Sequence, residues 1–220
     1  MVTAGRTANG DTKERLLAAA ERLFGEEGFA RTSLRAITLA AGVNVAAVHY
    51  HFGSKEALLA ALFTRRAAPL NADRLARLDV IEAAAGDGAL PLEAVLEAFV
   101  APAFRLIAEL DPAGPSPAQL IARFFSEPEE VVQRMLREQF GEVGARFLVA
   151  LRRALPEVAA VEVGWRFEFM IAVLTHLLSR MHLLEIVPGR ALGPADEATT
   201  IRRAVTFLAA GFRAPAGGAA

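Results

Sequence analysis

Between Thr32 and Leu62 the chain runs TSLRAITLAAGVNVAAVHYHFGSKEALLAAL, a stretch that admits little besides two short helices, a glycine turn between them and a third helix starting close behind. Leu34, Ile37, Ala40 and Ala41 recur at spacings of three and four, the repeat of one helical face. Either Thr32 or Ser33 can cap its start by accepting a bond from a first-turn amide. Gly42 follows where a helix needs a residue with positive φ to turn away. Asn44 then caps a second helix so short that only one face can be buried, with Val43, Val48 and Phe52 as anchors. Ser54 caps the next helix, Glu56 sits near the positive end of its macrodipole, and Leu58, Leu59, Leu62 and Phe63 face inward. This is the spacing of a helix-turn-helix.

The rest of the chain reads as helix throughout. Asp11 with Glu14 resembles a capping box, and Leu16, Leu17, Ala20, Leu23 and Phe24 form one face of a helix that Gly28 ends. Pro69 marks a kink or stop in the fourth helix. Breakers then cluster at residues 86–88, 111–117, 128, 156 and 187–194, and apolar helical stretches lie between them at about 91–110, 117–126, 128–154, 157–186 and 195–212. No alternating apolar and polar run suggests a strand. The expected fold is therefore all-α: an N-terminal three-helix helix-turn-helix domain joined by a fourth helix to a larger helical domain. Residues 1–10 are expected to be a disordered arm and 11–66 the helix-turn-helix domain. Residues 67–213 make the larger domain, and 214–220 a flexible tail.

Composition narrows the function classes. With 54% hydrophobic and 22% charged residues the chain is globular. It has no cysteine, which removes disulfides, thiolate metal sites and cysteine nucleophiles, and fits a reducing cytoplasm. Met1–Gly10 is polar and glycine-rich, with no apolar segment behind it to suggest a signal peptide. The longest strongly apolar run, Phe169–Leu178, is too short for the ~20 residues of a membrane span. Net charge is −1, but residues 1–66 hold nine Lys or Arg against six Asp or Glu, and the remainder fifteen against nineteen. The positive end coincides with the helix-turn-helix.

On the second short helix Val45, Ala46, Ala47, His49, Tyr50 and His51 are left facing out, a small and aromatic surface suited to a DNA major groove. At residues 11–64 the sequence resembles the DNA-binding domain of the TetR/AcrR family of bacterial transcriptional regulators. The resemblance rests on Thr32-Ser33-Leu34-Arg35, on Ala40-Ala41-Gly42-Val43, and on Tyr50 through Leu58. It departs at Thr38, Leu39 and His49, the last standing where an aromatic hydroxyl is more usual.

The resemblance sets out a division of labour over double-stranded DNA. Thr32 and Ser33 at one helix start and Lys55 at another suit phosphates, which position the protein. Arg35 suits a guanine edge or a nearby phosphate. Val45, Ala46 and Ala47, following the cap Asn44, offer apolar contact to thymine methyl groups, while His49, Tyr50 and His51 lie toward the backbone. A homodimer joined through the final helices would read an inverted repeat with half-sites ~34 Å apart or somewhat more. Ile201, Val205, Leu208 and Phe212 form one stripe suited to that two-fold contact.

The larger domain holds ten of the fourteen phenylalanines and the single tryptophan. Phe104, Phe124, Phe125, Phe140, Phe147, Trp165, Phe169 and His176 are the candidates for lining a small-molecule pocket, which the resemblance implies, although an aromatic stripe at helical spacing also serves as plain core. The implied activity is transcription regulation, most simply repression relieved by a small apolar or aromatic effector. No cofactor, metal or membrane enters this reading. The four histidines, His49, His51, His176 and His182, form no metal set, and no nucleophile with base or phosphate-binding glycine motif occurs, so no enzyme is expected. The alternative is a helical carrier of hydrophobic ligands with an unused helix-turn-helix.

Overall fold

The computed structural model describes residues 4–108, 124, 129–178 and 196–216. Among them are eight α-helices and no strand: α1 (Ala4–Glu27), α2 (Leu34–Ala41), α3 (Val45–His51), α4 (Lys55–Ala85), α5 (Leu92–Ala108), α6 (Glu130–Ala154), α7 (Ala160–Leu178) and α8 (Glu197–Arg213). The chain divides into two compact units, one of Met1–Pro69 with Leu110–Gln139 and one of Leu70–Glu109 with Phe140–Ala220.

Helix α1 begins at Ala4, so residues 4–10 of the expected arm are helical. Asp11 lies inside the helix and pairs with Arg15 at 3.8 Å, one turn on, in place of capping. Residues 1–3 of the arm and 217–220 of the tail lie outside the described residues. The boundary expected after residue 66 falls after Pro69, and α4 runs through that proline without stopping.

The core of the first unit is the one the apolar periodicity foretells. Leu16, Leu17, Ala20, Leu23 and Phe24 of α1 are buried, as are Leu58, Leu59, Leu62 and Phe63 of α4. Phe124 completes it, with its ring centroid 4.7 Å from Phe63 and 6.4 Å from Phe24. That packing explains why residues 110–139 cluster with the N-terminal unit, although the sequence reading gave them to the larger domain. Across this core Arg66 donates to both Glu21 oxygens, at 2.8 and 2.6 Å, the bidentate geometry in which a guanidinium holds a carboxylate best.

In the second unit α5 packs against both α7 and α8, and α7 against α8. Val95, Leu96, Phe99 and Val100 of α5 are buried, with Val163, Phe167 and Met170 of α7 and Ile201, Val205, Leu208 and Phe212 of α8. Phe99 meets Phe147 and Phe167 edge-on at 4.9 and 5.4 Å, the orientation favoured by the ring quadrupoles. Arg146 of α6 bonds Asp79 and Glu82 of α4, both at 2.8 Å. Arg166 of α7 donates to Phe212 O at 2.7 Å, satisfying a carbonyl in the last turn of α8 that the helix itself leaves open.

The Glu21 carboxylate is largely enclosed, so Arg66→Met is expected to cost about 2 kcal/mol by leaving that charge without its partner. Urea unfolding reads it as a lowered midpoint at unchanged slope. Glu21→Gln on top of Arg66→Met is expected to recover part of the loss, and a single variant as stable as the parent would refute this role.

Candidate nucleic-acid interface

Three side-chain caps and one left-handed glycine build the helix-turn-helix. Ser33 Oγ accepts from Ala36 N at 3.1 Å, Asn44 Oδ1 from Ala47 N at 3.0 Å and Ser54 Oγ from Ala57 N at 3.1 Å. Gly42 takes φ 63° and ψ 38°, and its amide and that of Val43 reach back to Leu39 O and Thr38 O, closing α2. Arg15 of α1 donates to Ala41 O and Gly42 O from outside. Glycine answers to the backbone angle; a Cβ there would stand 2.8 Å from Arg15 Nη2, the movable end of a side chain that would have to shift from its carbonyl partners. Ile37 and Val48, both fully enclosed, pin α2 and α3 to the core.

This frame fixes what faces out. Ser33, Arg35, Asn44, Val45, Ala46, His49 and Tyr50 are exposed, and Ala47, His51 and Lys55 half-buried. Tyr50 is 76% exposed, with its ring edge-on to His51 at 5.1 Å. His49 Nδ1 lies 3.0 Å from Gly53 O, and only a nitrogen bearing a proton can donate to that carbonyl, so in this contact Nδ1 is the donor.

Two of the expected contacts change character. Thr32 is buried and its hydroxyl lies 2.8 Å from Gly28 O and 3.2 Å from Leu23 O, so it ties α2 to the end of α1 and has nothing left for a phosphate. Of these two residues Ser33 is the exposed cap of α2. Lys55 Nζ sits 4.1 Å above the Phe29 ring, and burial holds its pKa below the ordinary lysine value, against the opposing pull of Glu56 and Glu129. Its ammonium is engaged in a cation–π contact at the start of α4. Leu39, noted in the sequence only as a departure from the family pattern, is 82% exposed one turn after Arg35. The signal was the i, i+4 spacing from an exposed arginine.

The residues nominated for a ligand pocket do not converge. Phe104 and Phe147 are core and Phe140 is half-buried in the second unit, Phe124 belongs to the first, and Phe125 lies outside the described residues. Trp165 and Phe169 stack at 6.2 Å on the outer face of α7, 58% and 61% exposed, and His176 is exposed as well. The stripe expected at a two-fold contact is used within the chain: Ile201, Val205, Leu208 and Phe212 are the buried face of α8, which packs against α5 and α7. On these two helices the large apolar side chains left bare are Val161, Trp165 and Phe169, spaced one turn apart on α7, and Phe207 on α8; Val80 of α4 and Val149 of α6 are bare as well. Among the described residues no cluster of His, Asp or Glu is placed to hold a metal ion, and no helix is long and apolar enough to cross a membrane.

Comparison with known proteins places both parts of the chain. Residues 16–62 match the family model for bacterial regulatory proteins of the tetR family, and residues 97–211 that for the tetracyclin repressor-like C-terminal domain. The HTH-type transcriptional regulator BetI of Rhizobium meliloti (strain 1021) is 30% identical over 146 residues, which is 66% of this chain and 66% of that protein, just under two thirds of its length. A TetR-family transcriptional regulator from Bordetella parapertussis 12822 superposes with a TM-score of 0.64 at 16% identity, over 89% of this chain and 93% of that one. A structure of SmeT with triclosan does so with a TM-score of 0.54 at 24% identity, over 84% and 99%. The helix-turn-helix with its outward face, the all-helical second unit and the two family matches agree: the chain belongs to the TetR family of bacterial transcriptional regulators.

Proposed function

We propose that this protein is a sequence-specific DNA-binding regulator of transcription that acts in the cytoplasm as a homodimer and releases its operator when a small apolar or aromatic effector binds the larger domain. The observation that carries the reading is the outward face of α3. Arg15, Gly42 and three caps hold a short helix whose exposed side chains serve no packing purpose of the chain. On α3 Val45, Ala46 and Ala47 meet base edges and Tyr50 and His51 the DNA backbone, while from α2 Arg35 meets a guanine or a phosphate and its cap Ser33 the DNA backbone. Small apolar reading residues leave few direct hydrogen bonds to bases, so DNA shape and bridging water carry part of the specificity.

The dimer forms through the bare faces of α7 and α8. Val161, Trp165, Phe169 and Phe207 expose apolar surface whose removal from water gains about 25 cal/mol per Å². Two copies joined there present two recognition helices to an inverted repeat. The effector acts by changing the separation of those helices, and operator and effector then weaken each other's binding by the same factor. That a neighbour in fold, SmeT, was solved with triclosan supports an apolar effector.

Selection of genomic fragments with the purified protein at physiological salt is expected to enrich one inverted repeat. Arg35→Ala is expected to bind it about tenfold more weakly and Tyr50→Phe a few-fold, as loss of one charged and one neutral contact implies. Thr32→Val is expected to lower the melting temperature while sparing operator affinity. Recovery of random, salt-sensitive fragments alone would refute a specific regulator and favour a helical carrier of hydrophobic ligands.

Trp165→Glu with Phe169→Glu is expected to give a folded monomer by sedimentation, with operator affinity reduced at least tenfold. A dimer of unchanged strength would move the interface elsewhere.

A further inference from the structure

Arg74, in the second half of α4, is 4% exposed. Its Nε donates to Phe99 O at 2.9 Å, and the guanidinium carbon lies 3.8 Å from the centroid of the Phe99 ring. A guanidinium carries five N–H donors, and that carbonyl occupies one of them. Among the described residues no carboxylate pairs with Arg74. The nearest in sequence, Asp73, is held by Arg77 at 2.8 Å and faces Arg105 at 3.8 Å.

Arg166 shows how this unit treats a buried arginine it means to neutralise. Glu162 stands one turn away at 3.7 Å, and Phe212 O takes a second bond at 2.7 Å. For Arg74 the contacts among the described residues are one carbonyl and one ring face. Loss of hydration pulls its pKa down to about 9, so at neutral pH it still carries its charge, in surroundings that favour an anion.

Those surroundings are aromatic. Phe99 is the ring beneath Arg74, and Phe147 and Phe167 lie edge-on to it in turn. A single enclosed cation beside an apolar wall suits a ligand with one negative charge and an apolar or aromatic body. A carboxylate matches it in charge and in the bidentate fork, whereas a phosphate dianion would bring a second, uncompensated charge into an apolar site.

We propose that Arg74 is the anion-binding residue of the effector site, and that the effector is a carboxylate with an apolar or aromatic body. This deepens the regulator reading and rests on it for the word effector.

The test uses benzoate, 3-phenylpropanoate and decanoate, each against its neutral amide. Thermal melting and calorimetric titration are run on the parent protein, Arg74→Met and Arg74→Lys. At least one carboxylate is expected to raise the melting temperature of the parent while its amide does not. The affinity for that carboxylate is expected to fall at least about tenfold in Arg74→Met and by less in Arg74→Lys. Ligand-free Arg74→Met is expected to melt at or above the parent, since an uncompensated buried charge has gone.

Equal stabilisation by acid and amide, an undiminished response in Arg74→Met, or no response to any of the three acids would overturn the proposal. So would a large drop in the melting temperature of ligand-free Arg74→Met, which would make Arg74 a structural ion. Gel shifts on the selected operator separate the two readings. An operator complex indifferent to every acid sinks the carboxylate effector alone, and acid binding without any operator complex sinks the regulator alone.

Discussion

Arg15 is the residue on which the DNA-facing end depends. It reaches from α1 to the carbonyls of Ala41 and Gly42, the groups that α2 leaves open where it ends. A helix of eight residues and one of seven have little stability of their own. They hold their angle because Ile37 and Val48 are enclosed, Gly42 turns left-handed, and a cation from the longest-packed helix of the unit caps the joint. Take away that cap and the outward positions of Val45, Tyr50 and Arg35 lose their common frame.

Much of this was legible without coordinates because the signals are local. A cap, a glycine and an apolar residue every three or four positions act within one turn, so Ser33, Gly42, Asn44 and Ser54 announce the motif by themselves. The α1 and α4 cores were legible for the same reason. What escaped was set by partners distant in sequence. Thr32 is as good a capping residue as Ser33, and only the approach of the α1 end at Gly28 makes it a buried tie. Lys55 reads as a free cation until Phe29 is found beneath it. Phe124 was assigned to the wrong unit because nothing in its neighbourhood says that its ring lies against Phe63.

The last helices show the same limit more sharply. A helix apolar on one stripe must be covered, but the stripe does not say by what. The Ile201 to Phe212 stripe is buried within the same chain, on a helix that packs against α5 and α7, so the surface these helices leave bare is a different one. On α7 two apolar faces coexist: Val163, Phe167 and Met170 are enclosed, while Val161, Trp165 and Phe169 stand bare. The one-turn spacing of that second set was readable in the sequence. Its meaning required knowing which face the chain had already used.

Three buried or half-buried arginines mark three solutions to one problem, and their differences carry functional information. Arg66 is met by both oxygens of Glu21, so its charge is spent on joining α1 to α4. Arg166 is shared between Glu162 and the closing carbonyl of α8, so its charge is spent on a helix end. Among the described residues Arg74 has a ring and one carbonyl, which orient the guanidinium, and no carboxylate that neutralises it. Orientation without neutralisation is what a binding residue requires, because a cation already satisfied by its own chain gains nothing from an anionic ligand. Under the proposal above, an arriving carboxylate would offset part of the cost of holding such a charge in the ligand-free protein. Stability of the empty protein and preference for an acid over its amide would then both respond to a change at this residue.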